Sequence, residues 1–164
     1  IVAGGGAIYS GAENVIKEFS EKHGIPVTET FAGKGTLHYS NPFNLGGIGA
    51  TGTKGANEIA KNSDLVIGIG TRYGDFTTAS RSVWQNKNVN FININVAEFD
   101  AFKNSAIPLQ GDARETLKII SQKLGNHSTD EEYIKKIKVL NKEWDDIVSK
   151  IYQTEDPKLS LIHI

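Results

Sequence analysis

Cysteine and methionine are both absent from the 164 residues. Without cysteine there can be no disulfide, zinc thiolate, iron–sulfur cluster or thiol nucleophile. The missing methionine extends to the first position. The chain opens on Ile1-Val2-Ala3-Gly4, which reads as the middle of a strand, so the expectation is a piece of a longer polypeptide. Neither sign of charge is in excess: 18 basic residues face 19 acidic ones for a net charge of -1. That balance gives no footprint for nucleic acid or for a membrane surface. No apolar run approaches the roughly 18 residues of a membrane helix. Together with the absent cysteines, this leads to the expectation of a cytoplasmic protein. What the chain does have is glycine, 17 residues, most of them before position 75. The first half therefore needs tight turns or close approach of backbones.

Short apolar runs alternate with helical periodicity. Strands are predicted at Ile1–Ala3, Pro26–Thr30, Leu65–Gly70, Val89–Val96 and Ala106–Leu109. Helices are predicted from a Ser10–Glu13 capping box to about Lys22, over Thr53–Asn62, around Ala79–Gln85, and from Asp112 to Leu124. Residues 32–52 read as a long glycine-rich loop. Strands alternating with helices imply parallel pairing, and unalternated apolar strands imply a sheet covered on both faces. The fold class is doubly wound α/β, with about six parallel strands in a Rossmann-like arrangement. Residues 1–127 form this domain. Residues 128–164 differ: a capping box at Thr129–Glu132 opens one long amphipathic helix with Ile137, Leu140, Trp144, Ile147, Val148 and Ile151 at helical spacing. Turn signals at Asp156-Pro157 and an apolar tail from Leu159 then suggest a linker toward another domain. The stripe of Leu140, Trp144, Ile147 and Ile151 is the expected surface for pairing with another chain.

Three glycine clusters carry the candidate chemistry. Gly47 to Gly52 spells G-x-G-x-x-G but follows a loop, so a dinucleotide fingerprint lacks its strand. Gly6 to Gly11 has P-loop spacing, but Ala12 and Glu13 stand where Lys and Ser/Thr are required. Gly4, Gly5 and Gly6 lie directly between a strand and a helix. Their amides either meet a phosphate or only permit the turn. The third cluster, Gly68 to Asp75, ends the best strand, where open α/β sheets bind ligands. Its Arg72 either meets a phosphate or pairs with Asp75. Asn95 and Asp112 end later strands on the same edge. Glu29 falls where an acidic residue can grip a ribose, though a solvated carboxylate is the simpler reading. His23, His38, His127 and His163 share no metal-ligand spacing and read as surface or loop residues. Thr77-Thr78-Ala79-Ser80 reads as a polar loop capping the next helix.

The ordered series Gly4-Gly5-Gly6, Gly24-Ile25-Pro26-Val27, Gly33-Lys34-Gly35, Asp64 to Arg72 and Gly111-Asp112-Ala113 resembles the central domain of thiamine-diphosphate-dependent enzymes. This is the family of acetolactate synthase, pyruvate oxidase and oxalyl-CoA decarboxylase. Thr51-Gly52-Thr53, Asp75 to Ser80, Phe91 to Val96 and Phe99-Asp100-Ala101 look closest to its branch that opens a cyclic dione by carbon–carbon bond hydrolysis in inositol catabolism. The resemblance implies thiamine diphosphate and Mg²⁺ held by N- and C-terminal domains of the same parent chain, in a homodimer or homotetramer. The Gly-Asp-Gly that holds them is absent here. It therefore also implies no catalytic residue, no metal and no turnover in this chain alone. In some relatives the central domain binds FAD or ADP. Matched by position, those contacts would be Gly4, Gly5, Gly6, Gly70, Arg72, Asn95, Asp112 and Ala113, although Asn95 stands where flavin-binding relatives carry Asp. An adenine-nucleotide module (FAD, ADP or NAD) is thus the alternative function. A self-contained NAD-dependent deacylase is disfavoured by the absent zinc cysteines.

Overall fold

The computed structural model describes residues 1–153. Six strands, β1 (Val2–Ala3), β2 (Val27–Glu29), β3 (Asn44–Gly47), β4 (Leu65–Ile69), β5 (Asn90–Asn95) and β6 (Ile107–Gln110), form one parallel sheet in the order β3-β2-β1-β4-β5-β6. Seven helices connect or cover them: α1 (Gly5–Tyr9), α2 (Glu13–His23), α3 (Lys54–Asn62), α4 (Asp75–Thr78), α5 (Glu98–Ala101), α6 (Ala113–Leu124) and α7 (Glu131–Tyr152). The doubly wound α/β expectation is met. The chain starts in the middle of the sheet, builds outward to β3, and then returns to the other side of β1 with β4. Successive crossovers therefore diverge between β1 and β4, and their loops part at the carboxyl edge.

Each covered face has its own core. On one, Ile16 and Phe19 of α2 and Leu117 of α6 close over Ile69 and Ile94. Phe19, 1% exposed, contributes about 2–3 kcal/mol by its burial alone. On the other face α3 and α7 bury Ile59, Ile137 and Leu140 against Phe43 and Leu45. Leu140 thus belongs to the core, which corrects its expected place on an exposed stripe. Trp144, Ile147 and Ile151 further along α7 remain exposed. The linker signals from Asp156 onward lie outside the described residues.

The caps explain several boundaries. Thr53 Oγ1 accepts the Ala56 amide at 3.0 Å, and Asp112 Oδ1 accepts that of Glu115 at 3.1 Å. The box expected at Ser10 does not form: α1 occupies the preceding residues, and Ser10 closes it by donating to the Ala7 carbonyl. The cap of α7 is Asp130, one residue past the expected Thr129, whose hydroxyl donates to the Gly24 carbonyl and ties α7 to the end of α2. The helix expected at Ala79–Gln85 is absent. Ala79, Ser80 and Arg81 are left-handed, so the chain turns there after the short α4. Within the expected loop of residues 32–52 the structure has a strand, β3. The G-x-G-x-x-G run therefore does follow a strand, contrary to its expected context.

The β3 edge shifts register against β2, whereas β6 pairs with β5 in unbroken register. Along β3, the Asn44 amide donates to the Asn41 carbonyl and the Gly46 amide to Asn44 Oδ1. On the opposite edge, β6 contains Pro108, which has no amide hydrogen.

Candidate functional site

The loops after β1 and β4 meet at the point where the crossovers diverge. The Gly4 amide donates to the Ile69 carbonyl at 2.8 Å, and the Gly6 amide to the Gly70 carbonyl at 3.0 Å. Gly70 has φ +57°, and a side chain on it would collide with the Gly6 backbone. A Cβ on Gly6 would in turn stand 2.7 Å from Gly70 Cα. Glycine at these positions lets two backbones touch. It also engages the amides of Gly4 and Gly6, so that Gly5 alone of the three keeps an amide without a partner among the described residues.

A cleft of about 840 Å³ opens above this contact, lined by Gly4, Gly5, Gly6, Gly70, Arg72 and Asn95 together with Tyr9, Phe31 and Lys103. A neighbouring hollow of about 200 Å³ shares Gly6, Gly70 and Asn95 and adds Asp112 and Ala113. The structure therefore brings all eight candidate residues to one crevice. Their chemistry is largely engaged within the fold. Buried Asn95 donates to the Thr71 carbonyl at 3.1 Å and accepts the Ala97 amide at 3.0 Å, bracing two loops. The Asp112 carboxylate caps α6, so that helix terminus already has its anion. Arg72 is exposed and forms no ion pair with Asp75, which instead accepts the Ser80 hydroxyl at 3.3 Å. The Arg72 carbonyl is fixed by the Lys103 ammonium at 2.8 Å, and that ammonium pairs with Asp100 at 2.7 Å.

Four side chains depart from their expected surroundings. Glu29 is 1% exposed, not a solvated loop carboxylate. Its Oε1 accepts the amides of Gly35 and Leu37 at 3.2 and 3.0 Å, which folds the Gly33–Leu37 loop over the end of β2. Its Oε2 is buried without a hydrogen bond, with the Lys34 ammonium 3.7 Å away. His23 is fully buried, not a surface residue. Its Nδ1–H donates to the His127 carbonyl, and its Nε2 lies 3.1 Å from Ser121 Oγ. Thr77 and Thr78 are likewise buried at the end of α4 and do not cap a following helix. Most amides of the G-x-G-x-x-G run are occupied: Ile48 donates to the Glu29 carbonyl, Gly49 to Asn57 Oδ1, Ala50 to the Phe76 carbonyl and Gly52 to the Gly49 carbonyl.

The family described as "Thiamine pyrophosphate enzyme, central domain" matches residues 1–120. The chain belongs to this family. It is also 43% identical over 155 residues to a 3D-(3,5/4)-trihydroxycyclohexane-1,2-dione hydrolase of Clostridium tetani, covering 94% of this chain and 24% of that protein. The proteins of the same name from Bacillus thuringiensis and Bacillus cereus are each 43% identical over 152 residues, with 93% and 24% covered. The chain thus spans about a quarter of the length of these curated relatives.

The described residues of this thiamine pyrophosphate enzyme central domain do not converge on a site fit for that cofactor. Among the described residues no group of three or more His, Asp or Glu side chains converges as metal ligands. The carboxylates nearest the crevice are already engaged, Asp112 in a cap and Asp100 in an ion pair. Sequence reasoning missed Tyr9, Phe31 and Lys103 among the cleft residues. Phe31 and Lys103 lie in short turns with no periodic signal, and Tyr9 lies on a helix hidden by the glycines before it.

Proposed function

We propose that this chain is the central, non-catalytic domain of a thiamine-diphosphate-dependent hydrolase that opens a trihydroxycyclohexane-dione ring at a carbon–carbon bond, in inositol catabolism in the cytoplasm. The observation that carries this reading is the 43% identity extending over 94% of the chain to proteins of that name. In the whole enzyme, thiamine diphosphate supplies the electron sink for carbon–carbon cleavage, and Mg²⁺ holds its diphosphate. Both belong to the flanking domains of the same parent chain, which assembles as a homodimer or homotetramer. The part of residues 1–127 is to hold those domains in fixed relation, with residues 128–164 leading toward the next one. The glycine contact between the β1 and β4 loops and the buried Glu29 clamp suit a rigid spacer. The test is ring opening by the full-length enzyme, followed with and without thiamine diphosphate and Mg²⁺. Turnover that needs both, with none from the 164-residue chain alone, is expected. A full-length enzyme inactive on the dione, or turnover by the short chain, would overturn the reading.

The crevice favours a second reading, an adenine nucleotide such as FAD or ADP bound across Gly4–Gly6, Gly70, Arg72, Asn95, Asp112 and Ala113. The position of the cleft at the divergence of β1 and β4 supports it. The engaged amides and the carboxylate cap weigh against a phosphate there. Mass spectrometry of small molecules released from the denatured enzyme tests it. A near-stoichiometric nucleotide, lost in Arg72→Ala, would carry this reading, and an empty protein would remove it.

A further inference from the structure

Around the crevice, the carboxyl edge of the sheet carries an aromatic rim that nothing among the described residues covers. Tyr9, Phe31 and Phe76 are 91%, 74% and 64% exposed. Phe31 and Phe76 meet edge to face with ring centroids 6.1 Å apart, and Tyr9 and Phe31 both line the large cleft. Phe99 and Phe102, 78% and 58% exposed, follow β5 on the same edge, and the Lys103 ammonium sits 5.0 Å from the Phe99 ring. Exposed rings that touch, as Phe31 and Phe76 do, mark contact surfaces, whereas single exposed apolar side chains are ordinary.

The setting of Phe76 is built, not loose. Its carbonyl accepts the Ala50 amide at 2.8 Å, and Gly49 beneath it has no room for a side chain. Just beyond α4, Ala79, Ser80 and Arg81 hold φ values of 44°, 54° and 66°. Three consecutive left-handed residues without glycine each cost about 1–2 kcal/mol. The Thr78 hydroxyl, accepting the Arg81 amide at 3.2 Å, and the Thr78 carbonyl, accepting Ser82 and Val83, hold that turn in place. The chain thus retains a strained turn next to a ring that faces water.

We propose that this rim is the seat of the remainder of the parent polypeptide, with Phe31 and Phe76 as its anchors. The inference rests on the reading of the chain as the central domain of a longer hydrolase. Its occupant follows from length: the relatives extend about four times as far as this chain, which covers 24% of them. Segments joined covalently meet at effective concentrations on the order of millimolar, so a modest patch suffices. The five rings expose on the order of 700 Å², the size of an interdomain contact.

Hydroxyl-radical oxidation of the full-length enzyme, read by peptide mass spectrometry, tests this. Phe31 and Phe76 are expected to oxidise about tenfold more slowly in the native enzyme than in the same chain unfolded in guanidinium, at every dilution. Oxidation within about twofold of the unfolded rate overturns the proposal, because water-excluded anchors cannot react so freely. Protection that vanishes as the enzyme dissociates on dilution assigns the rim to a second copy and overturns it as well. Dione turnover is measured on the same sample. Its absence with the rings protected removes the proposed function and leaves the seat standing.

Discussion

At Gly70 two demands coincide: a left-handed backbone and contact with the Gly6 backbone. Gly70→Ala is expected to lower stability by about 2–4 kcal/mol in urea unfolding, while Gly74→Ala, which faces open space at φ −62°, shifts it by less than about 0.5 kcal/mol. Equal effects would show that the close approach is not what fixes glycine there. Glu29 is the corresponding test for the loop over β2. Glu29→Ala leaves the Gly35 and Leu37 amides without their acceptor and is expected to lose about 2–3 kcal/mol. Glu29→Gln, whose amide oxygen can replace Oε1, is expected to retain most of that stability. These residues also show what the sequence concealed. The glycines signalled close approach, and the structure places that approach between two loops of the same chain. For Glu29, its place at the end of β2 suggested a solvated carboxylate or, less simply, a ribose ligand, because nothing local reveals that a loop six to eight residues later turns its amides back onto the carboxylate.

Among the elements, α7 makes the case for tertiary control. Its periodicity was legible, but which half is buried was not, since that depends on where α3 and β3 end. Gly55 of α3 allows the approach: a Cβ there would lie 3.3 Å from Leu140 Cβ. Leu140→Ala is expected to cost about 2–4 kcal/mol, whereas Ile151→Ala, 66% exposed, leaves the melting temperature nearly unchanged. The start of α7 adds a pH dependence. Burial, with Asp64 and Asp130 nearby, pushes the Tyr133 hydroxyl from its ordinary 10.0 up to about 12. Between those values the unfolded chain releases a proton that the folded chain keeps, so stability falls as pH rises from about 10 to 12, by roughly 2 kcal/mol. Below that window this group contributes no change. Tyr133→Phe is expected to flatten the alkaline slope but not abolish it, because burial also raises the Tyr73 hydroxyl. The elements that were illegible have a common cause. Asn44-Leu45-Gly46-Gly47 has little strand propensity and becomes β3 by pairing with β2. Ala79 to Gln85 has helical composition but begins in a left-handed turn held by Thr78.

For the molecule as a whole, the parallel, doubly wound sheet followed from the alternation of strands and helices, whereas the strand order and the borders did not. Those borders decide how one copy behaves beside another. A parallel sheet of six strands ends in two rows of backbone groups that any passing extended segment can match. On one border Asn44 and Asn41 already occupy the outward amides; on the other Pro108 removes one. Pro108→Val restores a donor on an edge strand whose first residue, Ile107, is 62% exposed. We expect that variant to keep its circular dichroism spectrum yet scatter light and bind thioflavin T on prolonged incubation at high concentration, where the parent sequence stays clear. A clear solution from both would locate the protection elsewhere. The proline on β6 thus acts as a stop at the margin of the fold, refusing a seventh strand from a stranger and sparing the crowded cell a template for fibres.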